Sequence, residues 1–178
     1  GERTIKQHER LILSGTSSTD NVGIVAFTWE IPELETWRIF GEELNITIDD
    51  AGIYNVTLTA EDMMGNNDSV TIQVFVIDIT SPTVEVGPDM DVLVNDTIIL
   101  DVVSSSDNIG ITSYRWSVRI GDSNITLNGS QAELIANKVG EWKARLTVSD
   151  SEGNTAMDSL IIRVSEREKN ETDQEPAD

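Results

Sequence analysis

Apolar and polar residues alternate along most of the chain. Tyr54, Val56, Leu58 and Ala60 interleave with Asn55, Thr57, Thr59 and Glu61, and Trp142, Ala144, Leu146 and Val148 with Lys143, Arg145, Thr147 and Ser149. A period of two puts alternate side chains on opposite faces of an extended backbone, so each run reads as a strand with one buried face. Phe27, Trp29 and Ile31 follow the same rule, as do Tyr114, Trp116 and Val118. Val70, Ile72, Val74 and Val76 predict a closing strand, matched by Leu160, Ile162 and Val164. No long segment carries helical periodicity, and residues 32–43 read as irregular. Turn-forming pairs at Asp20-Asn21, Gly65-Asn66, Gly121-Asp122 and Gly153-Asn154 punctuate the runs.

The pattern is written twice. Residues 11–31, LILSGTSSTDNVGIVAFTWEI, match residues 98–118, IILDVVSSSDNIGITSYRWSV, without a gap at an offset of 87. Residues 52–66, GIYNVTLTAEDMMGN, match 140–154, GEWKARLTVSDSEGN, at an offset of 88. Asp68-Ser69 and Asp158-Ser159 form a third pair near the last strand of each unit. Two ordered blocks at nearly constant offset indicate duplication. Roughly seven short strands in about 85 residues fit a β-sandwich. The expected architecture is all-β: two tandem immunoglobulin-like sandwiches, residues 1–79 and 80–165, and an acidic, disordered tail, 166–178. Pro82, which cannot donate to a central strand, suits the connector between them. The first repeat reads as lacking its opening segment, which suggests a piece of a longer protein.

Composition removes several classes of function. With no cysteine, a disulfide framework, a zinc–thiolate site and a thiol nucleophile are all excluded. His8 is the only histidine, which leaves little for a Ser-His-Asp arrangement or a zinc site. No glycine-rich phosphate loop precedes a helix. The chain reads as non-catalytic. A net charge of −20, from 32 acidic and 12 basic residues, argues against nucleic acid and anionic membrane surfaces and favours solubility and cation binding. No stretch approaches the about 20 apolar residues of a membrane span, so no direct insertion is expected.

The two blocks S-S-T-D-N-V-G-I-V-A-F-T-W and G-I-Y-N-V-T-L-T-A-E-D-x-x-G-N, with their second-repeat counterparts, resemble the polycystic kidney disease (PKD) domain of archaeal and bacterial surface proteins and secreted hydrolases. The family commonly continues its Trp strand into Phe-Gly-Asp-Gly. Here Trp29 is followed by Glu-Ile-Pro-Glu and Trp116 by Ser-Val-Arg-Ile. Independently, Asp50-Ala-Gly52-Ile-Tyr54-Asn-Val56 has the spacing of a tyrosine corner. Trp142 stands in place of Tyr54 in the second repeat. Trp29 and Trp116 are expected in the inter-sheet core.

Calcium is the candidate cofactor, since it takes six to eight oxygen ligands from carboxylates, amides, carbonyls and water. In an immunoglobulin-like sandwich the B–C and F–G loops and the leading segment share one end. Asp20 and Asn21 should then approach Asp62 and Asn66, and Asp107 and Asn108 should approach Asp150 and Asn154. The connector brings Asp78 and Asp89. The resemblance implies the same: PKD-like domains of some secreted collagenases bind calcium through these three segments, and Asp107, Asn108 and Asp150 fall on matching positions. The plainer alternative is that Asp-Asn and Asp-x-x-Gly-Asn cap their own turns. A junction ion would stiffen the connector.

Asn-x-Ser/Thr sequons at Asn45, Asn55, Asn67, Asn95, Asn124, Asn128 and Asn170 point to extracellular exposure and glycosylation. The functional reading is a structural or adhesive cell-surface or surface-layer module, a spacer whose partners are other surface proteins or neighbouring repeats of the same chain. The rival is an accessory module of a secreted hydrolase that holds a polysaccharide or protein polymer. Trp37 and Phe40 are its candidate contacts.

Overall fold

In the computed structural model residues 1–35 and 38–168 are described, and the chain divides into two compact units, Gly1–Ile79 and Thr80–Asp178. The described residues form strands and turns and no helix. Both units are immunoglobulin-like sandwiches.

Among the described residues the first unit has seven strands: β1 (Glu2–Lys6), β2 (Arg10–Ser14), β3 (Ile24–Glu30), β4 (Arg38–Phe40), β5 (Glu43–Thr47), β6 (Gly52–Asp62) and β7 (Asn67–Ile77). One sheet has the order β1-β7-β6-β3-β4 and the other pairs β2 with β5. β1 runs parallel to β7, and the other pairs are antiparallel. The core forms because each strand sends one parity inward: Leu11 and Leu44 of the small sheet join Trp29, Val56 and Val74 of the large one in a single buried cluster. Strand β4 lies inside 32–43, the stretch whose sequence reads as irregular. A strand of three residues is too short to show a period, and its pairing with β3, Thr28 opposite Phe40, is what defines it. Trp37 lies outside the described residues.

The second unit repeats this frame with β9 (Met90–Leu93), β10 (Thr97–Asp101), β12 (Ile111–Ile120), β13 (Ser123–Asn128), β14 (Gln131–Ile135), β15 (Gly140–Asp150) and β16 (Thr155–Ser165). It adds a ribbon of β8 (Thr83–Glu85) and β11 (Ser104–Ser106). The large sheet is β13-β12-β15-β16-β9 and the facing pair is β10-β14. Trp116, Trp142, Leu146 and Ile162 are fully buried at its centre.

Register corrects one pairing drawn from sequence. Leu58 opposes Val70 and Leu146 opposes Asp158. Because Leu58 and Leu146 are repeat counterparts, the counterpart of Asp158 is Val70, not Asp68. Val70 is 59% exposed, so the buried parity of β7 begins only at Ile72.

Both repeats tie the start of their long hairpin in one way. The Tyr54 hydroxyl donates to the Asp50 carbonyl at 2.9 Å, four residues back, and the Trp142 indole N–H donates to the Lys138 carbonyl at 3.1 Å, also four residues back. The tryptophan thus keeps the corner with a nitrogen donor in place of a hydroxyl. Tyr54→Phe deletes this bond at nearly constant volume and is expected to cost about 1 kcal/mol. Trp116→Ala empties the second core and should cost about 3–5 kcal/mol. Urea denaturation of both variants checks the two values, and a Tyr54→Phe variant as stable as its parent would show that the corner bond contributes nothing net.

Candidate functional site

The inward parity of β15 runs Trp142, Ala144, Leu146, Val148 and ends on Asp150, which is 4% exposed. An acid is therefore drawn to the core end of an apolar row by the pleat itself. Asn154 closes the loop beneath it. Its backbone N–H donates to Asp150 Oδ1 at 2.9 Å and its side-chain amide to Oδ2 at 2.7 Å. The Asp150 N–H returns a bond to the Asn154 carbonyl at 3.2 Å. Gly153, at a φ of 87°, supplies the left-handed step this turn requires.

Asp107 arrives from the loop between β11 and β12. Its Oδ1 accepts the Ile109 N–H at 3.0 Å in an Asx turn. Its Oδ2 is buried and has no hydrogen-bond partner among the described residues. Asp107 and Asp150 each bring a carboxylate oxygen within 4.8 Å of the other's. At this range two ionised carboxylates repel on the order of a few kcal/mol, even at an effective dielectric of about 20. Beside them, β12 shifts register against β15 between Ile111 and Ser113, and Thr112 Oγ1 donates to the Asp150 carbonyl at 2.8 Å. The sequence reading did not single out Thr112. Its only signal is its place between Ile111 and Ser113, where the bulge turns the strand next to the acids.

The other expected ligands are placed as follows. Asn108 is exposed in the Asp107 turn. Asp78 is buried, 2% exposed, just after β7. Asp89 does not reach the loop end. Its Oδ1 accepts the Ile161 N–H and its Oδ2 pairs with Arg163 Nη2, each at 2.9 Å, and these two bonds, the backbone one first, hold its carboxyl below the usual range. Ile161 is six positions along β16 from Thr155, which faces the last turn of β15, so Asp89 sits about 20 Å away.

In the first repeat the same residues cap their own turns. Asp20 Oδ1 accepts from the N–H groups of Val22 and Gly23. Asn21 is exposed in that turn. Asp62 ends the inward row of β6 and is 6% exposed. Its Oδ1 accepts from Met64 and Asn66 N–H groups, and its Oδ2 from the Asn66 side-chain amide at 2.8 Å. That amide is the main reason the Asp62 carboxyl lies below the ordinary range; backbone donors assist and burial opposes. His8 bonds Asp49 at the surface. Of the sequon asparagines, Asn45, Asn55, Asn67, Asn95, Asn124 and Asn128 are exposed, and Asn170 lies outside the described residues. Phe40 is 73% exposed.

Residues 86–164 match the family model described as K319L-like, PKD domain. The dyslexia-associated protein KIAA0319 of Homo sapiens is 31% identical over 170 residues, which is 88% of this chain and 16% of that protein. Its Rattus norvegicus homolog is 29% identical over 167 residues, 86% of this chain and 15% of the relative. The chain thus spans about 15% of the length of these curated relatives. Collagenase ColA of Clostridium perfringens (strain 13 / Type A) is 33% identical over 86 residues, 48% of this chain and 8% of ColA. Among solved structures, extracellular domains 3–5 of Drosophila OTK give a TM-score of 0.53 at 13% identity, covering 93% of this chain and 59% of that one, a likeness of fold.

The Asp62 turn has a defined pH signature. A carboxyl whose folded pKa is depressed stabilises fully above its unfolded value, about 3.9, and loses that contribution as pH falls through the folded value. Asp62→Asn should therefore be less stable than the parent at neutral pH, and the difference should close on acidification below about pH 4. Urea midpoints across this range measure it; a gap that persists in acid would show that the charge on Asp62 is not what the turn binds.

Proposed function

Starting from a chain whose residues 86–164 are a K319L-like PKD domain, we propose that it is a non-catalytic extracellular module, two repeats acting as spacer and protein-interaction domains of a longer surface protein. What supports this is the PKD match together with the small share of the relatives that the chain spans: it is one section of a much longer polypeptide in them. Among the described residues no helix is long and apolar enough to cross a membrane. Partners are other surface proteins or neighbouring repeats, met through loops and sheet edges, and the exposed sequons carry glycans.

Calcium stabilises the second repeat in this reading. The observation that carries it is the buried Asp107 Oδ2, without a hydrogen-bond partner and close to Asp150. A buried carboxylate oxygen is expensive to leave unsatisfied, and a second carboxylate beside it adds repulsion. A divalent cation answers both, and an all-oxygen donor set suits calcium. Asp107 and Asp150 are the principal ligands. Asn108 contributes a side-chain oxygen, and Asn154 orients Asp150 through its amide.

The likeness to ColA favours a second reading, a polymer-holding accessory module with Trp37 and Phe40 as contacts, of which Phe40 is exposed. Sedimentation with insoluble collagen or polysaccharide separates the two, since strong binding lost in Trp37→Ala would favour the accessory module.

Calcium at about a hundredfold above its Kd stabilises a folded domain by about 2.7 kcal/mol, so the melting temperature of the second repeat should rise by several degrees over that in chelator. Asp107→Ala and Asp150→Ala should abolish the rise. Asp107→Asn should melt no lower than the parent in chelator, because it removes the repulsion, yet lower in calcium. Equal destabilisation by Asp107→Asn in both buffers would reduce Asp107 to a turn cap and remove the metal site.

A further inference from the structure

We propose that the outer face of the large sheet of the second repeat binds a sulfated polysaccharide. Strand register assembles this face from residues scattered in sequence. Residues directly opposite each other in antiparallel strands share a face, and the inner face of β12 and β15 holds Trp116, Val118, Ala144 and Leu146. The outer face therefore carries the pairs Arg115–Thr147, Ser117–Arg145 and Arg119–Lys143. Arg115, Arg119, Lys143 and Arg145 are all exposed. Arg119 and Lys143 stand about 5 Å apart across the strands. Arg145 lies about 7 Å along β15 from Lys143, and Arg115 about 13 Å along β12 from Arg119. The flanking positions on β13 and β16 are neutral: Asn124, Thr126, Asn128, Met157, Ser159 and Ile161. The acids nearest by, Glu141, Asp89 and Asp91, gather around Arg163 in the next row.

Three observations set this face apart from an ordinary solvated surface. The chain has only 12 basic residues against 32 acidic ones, yet four of the 12 meet here. None of the four joins a salt bridge among the described residues, where the ion pairs belong to His8, Arg38, Arg163 and Arg167. Like charges directly opposite each other also destabilise a sheet, so Arg119 beside Lys143 is a cost to the free domain that a bound anion would offset. The frame itself does not require these cations. The repeat match places Thr28, Asn55 and Thr57 in the first repeat where the second has Arg115, Lys143 and Arg145.

The spacing and the neighbours select the ligand. Cations spread over about 13 Å of an open sheet call for several anions along one extended chain rather than a single small ion. Guanidinium forks suit multi-oxygen anions. The hydroxyls of Ser117, Thr126 and Ser159 lie between and beside the cations and can hydrogen-bond sugar hydroxyls. A sulfated polysaccharide offers closely spaced fixed charges and hydroxyls together, whereas an acidic polypeptide offers the charges alone. The inference is independent of calcium and of Phe40, which belongs to the first repeat.

Titration of the full chain with dextran sulfate, at about 0.15 M salt, tests it. Dextran sulfate should bind, uncharged dextran should not, and the affinity should fall as salt rises. Lys143→Asn with Arg145→Thr installs the residues of the first repeat, so the fold should survive while binding weakens by about tenfold or more. Arg3→Ser with Arg10→Ser removes the same charge from exposed positions of the first repeat and should change the affinity by less than about twofold. The proposal is overturned if dextran sulfate does not bind. Equal weakening by the two double variants would overturn it too, because overall charge and not this face would then be at work. So would poly-L-glutamate binding as tightly as dextran sulfate, which would make the partner an acidic polypeptide.

Discussion

Each repeat depends on one row of inward side chains along its longest hairpin. β6 with β7 and β15 with β16 are eleven-residue strands paired over nearly their whole length, and they carry most of each core. The pleat fixes which residues face in, and the corner bonds of Tyr54 and Trp142 hold the hairpin where the rows begin. At the other end the same parity delivers Asp62 and Asp150 to the edge of the core. The apolar interior and the acidic loop end are therefore consequences of one register; a slip of one residue would expose the core row and the acid together.

The two repeats show how one frame tolerates different local chemistry. Asp62 has all its acceptors used by its own turn. Asp150 has the matching Asn154 clasp, but it lies beside Asp107, whose second oxygen is buried without a hydrogen-bond partner. Asp20, by contrast, is exposed and capped within its turn. Burial decides the difference. A solvated acid in a turn needs no further partner, whereas a buried one beside a second acid pays desolvation and repulsion together.

Charge acts mainly on the surface. With a net −20, exposed ion pairs such as Arg163 with Asp89 and Arg167 with Asp96 are minor contributors to stability, because solvent and salt screen them. Their larger effect is on individual carboxylates. Asp89 is committed to β16 by Arg163 and the Ile161 N–H, which removes it from the ligands available at the loop end.

Sequence alone determined the duplication, the all-β class, the buried parity of the long strands and the tryptophans of the two cores. These are local or periodic properties that a pleated backbone converts directly into burial. It also marked Asp107, Asp150 and Asn154, because loops at one end of a sandwich must meet. Tertiary structure alone decided that Asp89 faces Arg163, that Val70 rather than Asp68 is the counterpart of Asp158, and that β4 exists. Each depends on register against a neighbouring strand, which three-residue runs and surface acids do not encode. It also decided that one oxygen of Asp107 is buried without a hydrogen-bond partner while Asp62 is fully clasped. Near-identical motifs diverge there, because the cost of an acid is set by what surrounds it rather than by its own sequence.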